Sequence, residues 1–262
     1  MQTLFYILFF SVPLVLWPYT SELFEFNKMV LVYILTVLIM AVWLSRCLAA
    51  KRIIFRRTIL DIPLLAFLGS QVLSTIFSID PRTSLLGYYS RFNGGLLSTV
   101  CYSLLYWAFV SNMTKRNTLY VIRYTLVSAC LVSLYGVAEH FGIDKNLWVQ
   151  DVQNRVFSTL GQPNWLATWL VGLIPITWAL ALKRKPLLFY SLTLLLYLAL
   201  LFTKSRSGFL GFVAADFIFW TGTFLIYKKQ VLSQFVICHL SFVILSLVVG
   251  FPFSLSLSLI HI

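Results

Sequence analysis

Residues 187–227 read LLFYSLTLLLYLALLFTKSRSGFLGFVAADFIFWTGTFLIY. Two apolar runs, 187–203 and 208–227, meet at one hydrophilic break, Thr203-Lys204-Ser205-Arg206-Ser207-Gly208. Each run comes close to the roughly 20 apolar residues with which an α-helix crosses a bilayer. The pattern recurs outward along the chain, at 3–20, 29–47, 59–79, 95–113, 119–141, 164–182 and 231–250. The sequence therefore predicts an all-α, polytopic transmembrane helical bundle of about nine spans.

Composition agrees. Hydrophobic residues make up 60% of 262 positions and charged residues 11%, whereas a soluble domain carries about 25% charged residues. The alternation of a membrane β-barrel is absent. A net charge of +12 is no sign of nucleic-acid binding here, because most of the lysines and arginines lie in short loops between spans. Cys47, Cys101, Cys130 and Cys238 lie in or beside apolar runs, without metal-ligand or disulfide spacing, and read as small apolar filler.

Loop charge predicts orientation. Arg46 to Arg57, Lys115-Arg116, Lys183-Arg184-Lys185 and Lys228-Lys229 hold twelve basic residues and no acid. The opposite loops hold seven: Lys28, Arg82, Arg91, Lys145, Arg155, Lys204 and Arg206, together with five acids. The positive-inside rule places the first set, and the N-terminus, in the cytoplasm. Met1-Gln2-Thr3 lacks a basic n-region and no small-x-small cleavage site follows, so the first run reads as a span rather than a removable signal.

Two outward loops are long enough to build a site, 80–95 and 143–163. In the first, Ser84 to Phe92 reads as an interfacial helix between turns at Asp80-Pro81 and Asn93-Gly94-Gly95. Leu257-Ser-Leu-Ile-His-Ile262 resembles the translation of a sequencing-library adaptor. Residues 254–262 thus read as a non-native tail, and residues 1–253 as a single transmembrane domain that is incomplete and, alone, inactive.

Two segments carry a family resemblance. Arg155-Val-Phe-Ser-Thr-Leu-Gly-Gln-Pro-Asn164, followed directly by a span, is similar to the R-x-F-x-x-x-G-x-x-N segment of the O-antigen ligase family. Thr203-Lys-Ser-Arg-Ser-Gly-Phe-Leu-Gly211 is similar to that family's S-R-[SG] signature, and two spans separate the motifs in both. The resemblance covers roughly residues 60 to 230. It implies a bacterial inner-membrane enzyme of lipopolysaccharide or cell-envelope biosynthesis with its active site on the outer face. Such an enzyme moves a glycan from a polyprenyl diphosphate carrier to a lipid A core, another glycan, a protein or a cell-wall polymer. The resemblance implies membrane lipids around it, no nucleic acid, and no metal or cofactor, because the sugar is already activated by the lipid diphosphate.

The chemistry explains the residue types. Breaking the sugar–phosphate bond leaves negative charge on the lipid diphosphate, and preplaced cationic donors stabilise that charge in a low-dielectric setting. Arginine stays charged and offers phosphate a planar fork. Arg155 and Arg206 are the candidate catalytic pair. Arg91, Asn164, Ser205, Ser207, Gly208, Tyr88 and Tyr89 are candidates for substrate contact, the tyrosines by stacking on sugar rings. Asn164 also reads as the N-cap of its span. Gly208 and Gly211 suit a close helix approach.

The acceptor hydroxyl needs a proton acceptor. The resemblance puts that histidine in a large outer loop after the arginine motif, which this chain does not contain. Glu139 and His140 are the local substitutes, although a pair ending a helix reads as a cap. His239, in an apolar run, reads as a packed residue. Asp216, roughly 12 Å along its helix from Gly208, reads as a structural hydrogen-bonding acid or as support for the site. A polysaccharide polymerase using the same carrier, a lipid-linked glycan flippase or transporter, and a non-catalytic assembly partner are the competing readings.

Overall fold

The computed structural model describes residues 1–20, 22–148, 150–183, 186–227 and 231–249. Among them the chain is helical throughout, with no strand. In order the helices are α1 Gln2–Ser11, α2 Glu25–Ala49, α3 Asp61–Ile76, α4 Pro81–Leu86, α5 Leu96–Asn112, α6 Lys115–His140, α7 Pro163–Lys183, α8 Pro186–Phe202, α9 Arg206–Tyr227 and α10 Leu232–Val249. A 3₁₀ turn covers Ser158–Leu160. The tail 254–262, and the basic residues Arg184, Lys185, Lys228 and Lys229, lie outside the described residues.

Five helices, α2, α6, α7, α9 and α10, are long and apolar enough to cross a membrane, which marks a multi-pass membrane protein. The other four apolar helices occupy predicted spans but have 10 to 17 residues. At 1.5 Å per residue these reach about 15 to 26 Å, short of the roughly 30 Å hydrocarbon core. The first predicted span, 3–20, departs furthest, since α1 ends at Ser11. Pro13 and Pro18 lack the N–H that would continue the ladder.

The chain divides into two compact units, Met1–Ser128 and Ala129–Ile262, with the boundary inside α6. In unit 1, α2 packs on α5 and α1 on α2, while α3 and α4 rest on α5. Phe5, Leu8, Val32, Leu35, Ile39, Trp43, Ala108, Met113 and Val121 form the core. α3 buries no side chain. Its first residue, Asp61, ties it down by accepting bonds from the Thr58 amide (2.8 Å) and Trp107 Nε1 (3.1 Å).

In unit 2, α7 is the central helix, packed on α8 and α9. Its buried residues Leu166, Ala167, Leu170, Leu173, Ile174, Thr177, Trp178 and Ala181 recur at three- and four-residue steps and make one continuous face. Trp178 stands against Phe212, Phe219, Trp220 and Phe242. Buried hydroxyls pair between helices: Thr177 with Thr193 at 2.6 Å and Tyr197 with Ser246 at 2.8 Å. Pro175 lies inside α7 without ending it.

Candidate functional site

One end of unit 2 gathers the residues of both sequence motifs. The loop that carries Arg155 is held from below by α6. Glu139, fully buried near the end of α6, accepts the amides of Phe157 (3.0 Å) and Ser158 (2.7 Å) on one carboxylate oxygen. Ser158 Oγ returns to the Val132 carbonyl at 2.7 Å. A side chain at Gly136 would stand 3.1 Å from Val156 Cγ1, so the loop lies close on the helix there. Asp144 accepts from Tyr135 Oη (2.7 Å) and Trp148 Nε1 (2.5 Å), pinning the first half of the loop.

The second motif meets this loop directly. The Val156 amide donates to the Phe202 carbonyl at 3.1 Å. Arg155 Nε points to the Thr203 carbonyl at 3.4 Å, and its Nη2 to Asn164 Oδ1 at 3.5 Å. Both bonds are long, which leaves the exposed guanidinium loosely held. Ser205 Oγ donates to the same Asn164 oxygen at 2.8 Å and accepts the Gly208 amide at 3.1 Å. Ser205 is therefore the N-cap of α9, with Gly208 at its third position. Ser207 Oγ stands 3.3 Å from Ser205 Oγ.

Asn164 is not the cap predicted for α7. The helix starts one residue earlier, at Pro163, whose missing N–H and preset φ suit a first helical position. The Asn164 side chain instead links Arg155 to Ser205. A cavity of about 350 Å³ opens beside them, lined by Arg155, Asn164, Gln162, Asn154 and Asp151 among others.

Arg206 opens α9, is exposed, and has no hydrogen bond or ion pair among the described residues. It does not line the cavity. Gly208 is required as glycine, since a Cβ there would lie 2.4 Å from Ala167 Cβ on α7. Gly211 is not: its Cβ would meet Val171 Cγ1 at an ordinary 3.6 Å.

His140 sits between the two motif segments. Its Nδ1 is 2.7 Å from the Gln153 carbonyl, and its ring stacks on Phe202 at 3.8 Å. A carbonyl only accepts, so Nδ1 carries the hydrogen of this bond. Glu139 and His140 thus differ in kind: the acid holds the loop, and the imidazole has no hydrogen bond at Nε2 among the described residues.

Asp216 is not part of this cluster. It lies ten residues beyond Arg206 on α9, about 15 Å along the axis, and bonds His239 of α10 at 2.9 Å. His239 is thus more than the packed residue expected from sequence. Its Nδ1 faces the Phe235 carbonyl at 2.9 Å, so the ring links its own helix to α9. No sequence signal marked the pair, because it depends on how α9 and α10 pack.

Arg91, Tyr88 and Tyr89 belong to unit 1. The helix in this loop is α4, not the predicted Ser84–Phe92. Asp80 caps it through the amides of Arg82 (3.1 Å) and Thr83 (3.2 Å), and Pro81 fills its first position. These bonds, with the Thr83 hydroxyl foremost, hold the Asp80 carboxyl below its ordinary range. Gly87, at φ 89°, ends the helix where a Cβ would fall 2.3 Å from the Asn93 carbonyl oxygen. Arg91 Nε pairs with Glu25 at 3.2 Å, and its guanidinium lies 5.3 Å from the Tyr88 ring centre. Tyr88 and Tyr89 are 62% and 77% exposed, and the Tyr89 ring faces the Arg82 guanidinium at 6.0 Å.

Among the described residues no group of three or more His, Cys, Asp or Glu side chains is placed to hold a metal ion. No family model, no curated protein and no solved structure matches the chain.

Proposed function

We propose that the protein transfers a glycan from a polyprenyl diphosphate carrier to an acceptor hydroxyl at the outer face of a bacterial inner membrane. The observation that carries this reading is the cluster in unit 2. There, Arg155 and Arg206 hold no ion pair among the described residues yet open onto segments joined through Asn164 and Ser205. A guanidinium free of ion pairs at the edge of a polar cavity, as at Arg155, suits phosphate oxygens, and Arg206 adds a second on the adjoining segment. Once closed on the diphosphate, they stabilise charge as it moves from the sugar–phosphate bond onto the leaving group.

In this reading the acceptor oxygen attacks the anomeric carbon, the carbon–oxygen bond to phosphate breaks, and the polyprenyl diphosphate departs with the bonding electrons. His140 Nε2 takes the acceptor proton. Asn164 and Ser205 keep the two arginine-bearing segments in register. A polymerase differs only in its acceptor, a second carrier-linked glycan. The Asp216–His239 pair favours a second reading, transport of the lipid-linked glycan, since ionisable groups among apolar helices often line pathways.

The test is glycan transfer by the full-length protein in proteoliposomes holding a lipid-linked glycan and an acceptor. Transfer should fall by about 100-fold in Arg155→Gln and Arg206→Gln, and movement of the carrier between leaflets should be unchanged. Loss of leaflet exchange, with no transfer in the parent protein, would favour the transport reading.

A further inference from the structure

We infer that Lys204 is the residue by which the site in unit 2 tells a diphosphate from a monophosphate; this rests on the diphosphate-carrier reading above. Lys204 stands at φ 48°, in the left-handed region where a Cβ crowds the backbone and glycine is the favoured residue. The turn from α8 into α9 is thus built as a glycine would build it, yet it carries a long cationic side chain. Lys204 Nζ crosses to Asn154 Oδ1, 50 residues away in sequence. Asn154 lines the cavity that Arg155 and Asn164 share. The ammonium therefore lies at the rim of that cavity, using one of its three N–H donors on Asn154.

Charge decides what the third cation is for. Arg155, Lys204 and Arg206 have no ion pair among the described residues. The nearest acid of the cavity, Asp151, spends one carboxylate oxygen on the Asn154 amide at 3.2 Å. The Arg155 guanidinium, which lines the cavity, matches the oxygens of one phosphoryl group. A polyprenyl diphosphate brings a second phosphoryl group and about one more negative charge than the monophosphate. A flexible ammonium, acting as a point charge, suits that second group.

The experiment measures binding of undecaprenyl diphosphate and undecaprenyl monophosphate to the full chain in nanodiscs. The parent protein should prefer the diphosphate by about tenfold or more. Lys204→Gly, which fits the left-handed backbone, should cut that preference below about threefold. It should hold monophosphate affinity within about twofold and leave the melting temperature no lower. Lys204→Gln, which keeps the side-chain length, should behave the same way in binding. Retention of the full preference in both variants, or its absence in the parent protein, overturns the inference. Arg206→Gln separates the two levels. If it loses both lipids while the Lys204 variants keep the preference, Lys204 alone is misassigned. If the parent protein binds neither lipid, the diphosphate reading fails with it.

Discussion

Replacing Gly208 by alanine tests how the site is held. The added Cβ would stand 2.4 Å from Ala167 Cβ, 3.1 Å from Ser205 Oγ and 3.3 Å from Ser205 Cβ. Ordinary contact begins near 3.4 Å, so α7 and α9 must part by about 1 Å at this level. The obstacle is a short methyl on a helix backbone, which cannot swing aside as a long side chain would. Overpacking of this kind costs about 1–3 kcal/mol, or roughly 2–12 °C in melting temperature for a protein of this size. The displaced Ser205 also loses its bond to Asn164, so the Arg155 loop loosens and carrier binding falls with stability. Thermal unfolding in nanodiscs, followed by tryptophan fluorescence, gives the stability. Ala167→Gly in the same chain removes the clashing methyl and should recover most of the loss, with a coupling energy of about 1 kcal/mol or more. A Gly208→Ala protein that melts with the parent, or a double variant no better than the single, would refute the close approach of α7 and α9.

Other consequences follow from the same geometry. Glu139→Ala leaves the buried amides of Phe157 and Ser158 without acceptors, at about 1–3 kcal/mol for each; faster hydrogen exchange at those two amides checks it. Asp80 has a folded-state pKa held below its unfolded value. Its capping of α4 is therefore present above about pH 4 and is lost as pH falls through the lower folded value, visible as acid-induced exchange of the Arg82 and Thr83 amides. Asp216→Asn alone leaves His239 without its acid partner and should destabilise by about 3 kcal/mol. Asp216→Leu with His239→Leu should cost far less, as a double-variant unfolding cycle would show.

Much of this fold is legible as apolar runs bounded by charged loops. Helix length is less so: the run 3–20 looks continuous on a hydropathy scale, yet α1 ends at Ser11 before Pro13, whereas α7 runs through Pro175. The helix-start chemistry was present in the letters but open to two readings. Asp80-Pro81 is a cap followed by a proline in the first turn, yet it also reads as a turn. Asn164 has the right side chain for a cap, and only the three-dimensional position of Ser205 shows that it bridges two segments instead. Arg155, Asn164 and Ser205 were legible as a group through two short motifs. The Glu139 bonds, the Asp216–His239 pair and the left-handed Lys204 were not, since each depends on partners brought together by tertiary packing or on a backbone angle.

The most direct test of the account is the affinity of the chain in nanodiscs for undecaprenyl diphosphate against uncharged undecaprenol, in the parent protein and in Arg155→Gln and Arg206→Gln. The account predicts that each glutamine variant weakens diphosphate binding by about tenfold or more, leaves undecaprenol binding unaltered, and that Arg206→Lys recovers only part of the loss because an ammonium cannot fork. Equal diphosphate affinity in the parent and both glutamine variants would contradict it.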